Sequence, residues 1–220
     1  MNLTVEHLDC ARGGRAVIRG LGFTLAPGQA MALRGPNGVG KSTLLRLLAG
    51  FLPLRSGAVR LGDISLGKDR TGFQEHVLYA GHLDAVKPAL GVAENLRLWA
   101  GIYGSGEAPI AAALAHFGLS RIAERPAAEC SAGQKRRLGL ARMMVVDRPL
   151  WLLDEPTVSL DVDAVKGIAD LVRRHVAAGG MALIATHVDL GLGEIAELRM
   201  TPVTATPETE ADPFLQGSWR

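Results

Sequence analysis

Cysteine is nearly missing from this chain: Cys10 and Cys130 are the two in 220 residues, far apart and without metal-site spacing. That excludes a disulfide framework and fits a reducing compartment. Neither sign of charge is in excess; a formal net charge of +2 gives no electrostatic case for a nucleic-acid partner. The opening "MNLTVEHLDC" lacks a basic stretch followed by an apolar one, which argues against a signal peptide. No apolar run approaches the ~18 residues that cross a bilayer. The expectation is a cytosolic chain, or one that sits on a membrane through a partner. No internal repeat is evident. Apolar residues are plentiful, at 48%, enough for a sizeable core in one domain with or without an inserted lobe.

Short strands are expected at "LTVEHL", "AVIRG" and "GFTLA", broken by Gly13-Gly14 and by Pro27-Gly28. An apolar run in "QAMALRG" ends at a glycine, and a leucine-spaced helix, "KSTLLRLLAG", follows it with Gly50 as its C-terminal cap. Further strands are expected in "GAVRLGD" and "HVLYA". Over residues 84–144 alanine, leucine and arginine dominate, and helical patterns in "VAENLRLWAGIYG", "PIAAALAHFGL" and "QKRRLGLARMMVV" predict a helical lobe inserted into an α/β core. "PLWLLDE" and "MALIAT" are apolar runs of the kind buried on both faces of a parallel sheet. "DAVKGIADLVRRHVAAGG" between them is an amphipathic helix. The expected organisation is a single domain over residues 1–200, with its core in 1–83 and 145–200. A Pro/Thr/Glu-rich tail over 201–220 is expected to be loosely ordered until Phe214 and Trp219.

The segment "GPNGVGKST" matches G-x-x-x-x-G-K-S/T in full, in the strand–loop–helix order that the pattern requires. Its residues are Gly35, Pro36, Asn37, Gly38, Val39, Gly40, Lys41, Ser42 and Thr43. Such a loop wraps a phosphate chain with inward N–H groups; Lys41 reaches the terminal phosphates and the Ser42 hydroxyl coordinates Mg²⁺. ATP and Mg²⁺ are therefore the expected ligands. "LWLLDE" supplies the acids: Asp154, closing a buried strand, is placed to hold the metal through water. Glu155 points elsewhere and is the candidate to polarise the attacking water.

A second anion site is written in "CSAGQKRR", where the small-residue turn Ser131-Ala132-Gly133 opens onto a basic helix. The helical lobe separates it from the first cradle in sequence. Either the lobe folds back over its own P-loop, or a second copy supplies the turn in a twofold dimer. Sequence physics alone does not choose.

With these motifs in this order, the chain resembles the ATP-binding cassette (ABC) ATPases over nearly its whole length. The resemblance implies a P-loop NTPase core, a mixed sheet with N-terminal antiparallel strands, carrying the helical lobe. Cys130-Ser131-Ala132-Gly133-Gln134 stands where that family usually has Leu-Ser-Gly-Gly-Gln. There the turn binds the γ-phosphate held by the opposite subunit, so the resemblance implies a homodimer in which Ser131, Ala132, Gly133 and Gln134 serve the partner's ATP. Ser159, Leu160 and Asp161 match the loop that contacts the partner, and His187 in "ATH" matches the histidine that contacts the γ-phosphate.

Two family features are absent. No aromatic near the start is available to stack on adenine, Arg12 being the nearest candidate through its guanidinium plane, although an exposed arginine beside glycines is ordinarily just solvated. The glutamine that usually follows the "VLYA" strand, reaching Mg²⁺ and coupling to the membrane partner, is replaced by Gly81-His82, and His82 is the candidate coupling residue.

Four stretches, "YAGHLDAVKPALGVAENLRLW", "CSAGQKRRLGLARM", "GGMALIATH" and "DPFLQGSW", resemble the haem-exporter ATPase subunits of bacterial cytochrome c maturation. This implies a peripheral subunit on the cytoplasmic face of the inner membrane, partnered by multi-span maturation proteins. Its ATP hydrolysis would drive haem export or release of a haem-loaded chaperone. No haem ligand set is visible, since His76, His82 and His116 are scattered; haem is expected to be left to the partners. The alternatives are an ABC ATPase for another small solute, or a soluble ABC ATPase acting as an ATP-gated clamp.

Overall fold

A computed structural model of the chain describes residues 1–105 and 109–203. The expectations for Phe214, Trp219 and the tail from 204 onward lie outside the described residues.

Strands β1 (Leu3–Arg12) and β2 (Arg15–Leu25) form an antiparallel hairpin. Its turn is Gly13-Gly14, at φ 58° and 76°, the two positive values that a tight two-residue hairpin turn demands. "AVIRG" and "GFTLA", expected as separate strands, are one strand. Gly20 takes φ 59° and its N–H donates to Asp9 Oδ1 at 2.6 Å. The interruption is thus absorbed as a shift in register rather than a break. With β4 (Ser56–Leu61) and β5 (Ile64–Ser65) the sheet order is β2-β1-β4-β5.

The second sheet is parallel throughout. Its order is β6 (Val77–Ala80), β7 (Leu150–Asp154), β8 (Met181–Ala185), β3 (Ala30–Arg34) and β9 (Ala196–Arg199). The expected α/β core with N-terminal antiparallel strands is present, its strands divided between one antiparallel and one parallel sheet. Every residue of β7 and β8 is buried, which is why both read as unbroken apolar runs. Strand β9, "AELR", has no such run; it is a short, largely exposed edge strand that the sequence did not announce.

Alternation along β7 divides the core. Leu150 and Leu152 face a cluster with Leu44, Leu45 and Leu48 of α1 (Lys41–Leu48) and with the antiparallel sheet. Trp151 and Leu153 face the other cluster, shared with α6 (Val162–Ala177) and the lobe. The short helix α2 (Arg70–Gln74) leads into β6. The lobe contains α3 (Val92–Ile102), α4 (Ile110–His116) and α5 (Ala132–Val145). Its apolar residues Leu96, Leu114 and Leu140 belong to the same cluster as Leu153, so it has no core independent of the sheet.

Within that cluster His175 stacks flat on Trp151, with ring centroids 3.8 Å apart and planes 4° apart. Burial pulls the His175 pKa below the ordinary histidine value. A base depressed in the folded state contributes stability at high pH that is lost as pH falls through and below the ordinary histidine range, where the unfolded chain binds the proton more readily. Thermal midpoints at pH 7.5 and 5.5 should therefore differ more in the wild type than in His175→Phe, which keeps a ring on Trp151. Equal differences would remove His175 from the acid response.

Candidate active site

The loop of residues 35–43 sits where β3 hands over to α1. A Cβ at Gly35 (φ 146°) would lie 2.5 Å from the Met200 carbonyl oxygen, and one at Gly40 (φ 108°) 2.5 Å from Val17 Cγ1. Both positions need glycine, by conformation and by space. Gly40 is the N-cap of α1 and offers no side-chain cap, so the first N–H groups of the helix are left to an anion. The Lys41 ammonium arches over the loop, donating to the carbonyls of Gly35 (2.7 Å) and Pro36 (3.2 Å).

Asp154 ends β7 beside α1, and the Ser42 hydroxyl donates to its Oδ1 at 2.9 Å. A hydroxyl and a carboxylate at this spacing form the hard oxygen set that Mg²⁺ prefers. The residues present fit the ion. The second carboxylate oxygen is held by Tyr79, whose phenol donates to Oδ2 at 3.2 Å. Burial pushes the Tyr79 pKa up, and the Asp154 charge adds to that, so the phenol remains a donor at neutral pH. Sequence reasoning passed over Tyr79, which "VLYA" shows only as a strand residue.

Glu155 takes φ 51°, a left-handed conformation that costs a residue with a side chain ~1–2 kcal/mol. The turn directs its carboxylate away from Asp154 and toward the loop after β8. There His187 Nε2 lies 3.5 Å from Glu155 Oε1, 3.3 Å from Lys41 Nζ and 3.0 Å from Asn37 Oδ1. Residues from three separate segments thus converge around the cradle. Arg34 braces this arrangement, since its Nη1 donates to the Thr186 carbonyl at 2.6 Å, one residue before His187. The cluster brings together a phosphate cradle, a metal-compatible oxygen pair and a carboxylate beside His187.

The signature turn lies apart. Ser131 caps α5: its hydroxyl accepts from the Gln134 N–H (3.3 Å), and the Ser131 N–H donates to Gln134 Oε1 (2.9 Å), a reciprocal capping box. Ser131 and Ala132 are exposed. A Cβ on Gly133 would lie 3.8 Å from the Ser159 carbonyl, so the signature and the 159–161 loop share one face. Asp161 is engaged as the N-cap of α6, accepting from the Ala164 N–H at 2.8 Å, and Leu160 is partly buried. Among the described residues no hydrogen bond or ion pair joins 131–134 to 35–43.

His82 is exposed and lines a groove of about 730 Å³ between core and lobe, with Phe51, Tyr79, Leu83, Trp99 and Ile102. Arg12 is exposed at the end of β1 and borders a cleft of about 320 Å³ that also includes Cys10, Ile18 and Thr43. That cleft reaches the first turn of α1 through Thr43.

A cradle and an acid pair at strand ends of the parallel sheet, with a signature turn on the helical lobe, define an ATP-binding cassette, and the chain belongs to the ABC transporter family, whose model matches residues 18–158. It is therefore an ABC-type ATPase. Among curated proteins it is 52% identical over 213 residues to the cytochrome c biogenesis ATP-binding export protein CcmA of Ruegeria pomeroyi, covering 97% of this chain and 98% of that one. It is 50% identical to the protein of the same name from Cereibacter sphaeroides, with the same coverage. Among solved structures, an ATP-binding subunit of an ABC transporter superposes with a TM-score of 0.77 at 26% identity, over 85% of this chain and 80% of that one. An ABC transporter ATP-binding protein of Pyrococcus furiosus gives 0.79 at 21% identity, over 91% and 98%, a likeness of fold.

Proposed function

We propose that this chain is the ATP-hydrolysing subunit of a membrane complex for cytochrome c maturation, spending ATP on haem export or on release of a haem-loaded chaperone. The observation that carries the reading is the identity of about half to proteins named for that process, running end to end across both chains. In this reading two copies face one another, each lending residues 131–134 to the other's ATP. Ser42 and Asp154 would hold Mg²⁺, which would offset phosphate charge. Lys41 and His187 hold the γ-phosphate, and Glu155 takes the proton from water. The subunit lies peripherally on the cytoplasmic face of the bacterial inner membrane. No helix among the described residues is long and apolar enough to cross a membrane; in this reading multi-span partners hold the subunit there and carry the haem.

The groove beside His82 supports a docking role. Phe51, Leu83 and Ile102 at its walls are large apolar residues left 57%, 80% and 62% exposed, the kind of patch that marks a protein contact. His82 then reports the partner's position to the site.

In a host carrying only the Lys41→Ala form, c-type cytochromes should be lost while b-type cytochromes persist. Haem in b-type proteins is bound without covalent attachment, so the contrast separates failed maturation from general haem shortage. Haem-stained gels and difference spectra read both classes. Normal c-type levels would sink the cytochrome assignment and leave the ABC ATPase standing.

A further inference from the structure

The basic run Lys135-Arg136-Arg137 at the start of α5 divides three ways. Lys135 Nζ donates to the Ala128 carbonyl at 3.0 Å, and Arg137 Nη1 reaches the Phe117 carbonyl at 3.5 Å. Arg136 turns inward, its side chain 8% exposed. Its Nη1 donates to the Gly81 carbonyl at 2.8 Å and pairs with Asp84 Oδ1 at 3.2 Å, while Nη2 donates to the Glu155 carbonyl at 2.8 Å. A buried guanidinium must have its donors met, and its planar fork fixes their directions together. Two of the three partners here are main-chain carbonyls in segments of separate function.

The same helix grips the first of those segments at two more levels. A Cβ on Gly139 would fall 2.5 Å from the Asp84 carbonyl oxygen, so helix and loop backbones touch there. Arg142 Nη2 donates to the Tyr79 carbonyl at 2.6 Å. Residues 79–84 are therefore held against α5, and they carry His82 at the groove. Glu155, at the other tip of the fork, is strained in a left-handed conformation and held from both sides: its N–H donates to the Ala185 carbonyl at 2.8 Å, and its own carbonyl accepts from Arg136.

We infer that Arg136 is a positioning residue that sets the direction of the Glu155 carboxylate and ties it to the groove segment 81–84. This rests on Glu155 acting as the base. A partner seated in the groove that shifts Gly81 or Asp84 changes one side of a rigid fork whose other side holds the Glu155 backbone. Hydrolysis then answers to the groove without any partner residue entering the site.

The test is a mutant cycle on the purified full-length subunit, read by single-turnover hydrolysis and by binding of a fluorescent ADP analogue. Arg136→Met should slow the single-turnover step ~10–100-fold, as a displaced catalytic group does, with the nucleotide Kd changed less than twofold. Arg136→Lys, which keeps the charge and one donor direction, should fall between Met and wild type; it carries the cycle if the Met variant melts early. In a Glu155→Gln background either change should cost less than a further twofold, because groups acting as a unit are not additive. Full additivity, or a wild-type rate in Arg136→Met, overturns the proposal and leaves Glu155 as base. Near wild-type turnover in Glu155→Gln alone overturns the base assignment, and the proposal with it.

Discussion

Glu155→Gln should bind ATP as the wild type does and hydrolyse it ~10²–10⁴-fold more slowly in a single turnover, the usual worth of a positioned general base. The substitution is close to isosteric and leaves the local scaffold alone. The bonds that hold residue 155, to the Ala185 carbonyl and from the Arg136 side chain, use its main-chain N–H and carbonyl. Asp154 keeps Ser42 and Tyr79, and Lys41 keeps its loop carbonyls. What goes is the proton acceptor, a carboxylate aimed toward His187 rather than toward the Ser42–Asp154 pair. With chemistry stopped and binding intact, an ATP-bound dimer should also live longer. Quenched-flow hydrolysis, together with size-exclusion chromatography in ATP, reads both. A near wild-type single-turnover rate would take Glu155 out of the base role.

Mixing two dead subunits should restore activity. Lys41→Ala removes the cradle's cation, and Ser131→Arg blocks the signature turn; each variant alone has no complete site if the turn serves the opposite chain. In the mixed dimer one site pairs the intact P-loop of the Ser131→Arg chain with the intact turn of the Lys41→Ala chain. Random exchange makes about half the dimers mixed, with one good site of two, so roughly a quarter of wild-type ATPase is expected from twofold pairing. The motivation is geometric. Ser131 and Ala132 are exposed at the N-terminus of α5, on the face shared with Ser159. No bond among the described residues ties them to their own cradle. A mixture no more active than the separate variants, under conditions of demonstrated exchange, would count against the shared site.

Much of this was legible in the chain itself. The P-loop is local: glycines at 35 and 40, a lysine and a serine work through the backbone of one nine-residue segment, and their spacing states that geometry outright. The buried strands β7 and β8 declare themselves as apolar runs because both faces are covered, and Asp154-Glu155 stands out as the point where such a run ends in acids. The reading of "AVIRG" and "GFTLA" as two strands failed at Gly20, since a glycine in sequence marks a permissive position without saying whether it turns or bulges. Strand β9 was silent because an exposed edge strand needs no apolar pattern.

Tertiary structure alone decided how the motifs are wired. In the sequence Arg136 is one of three consecutive charges on a basic helix, and its role depends on carbonyls at Gly81 and Glu155, 55 and 19 residues away. Arg34 acts on the Thr186 carbonyl, 152 residues away. Every residue carries a carbonyl, so an acceptor of this kind leaves no mark in the sequence; only folding determines which one a buried guanidinium meets. The cradle and the acids were fixed by residue type and spacing, while the positions of Glu155 and His187 over that cradle depend on distant backbone brought into contact.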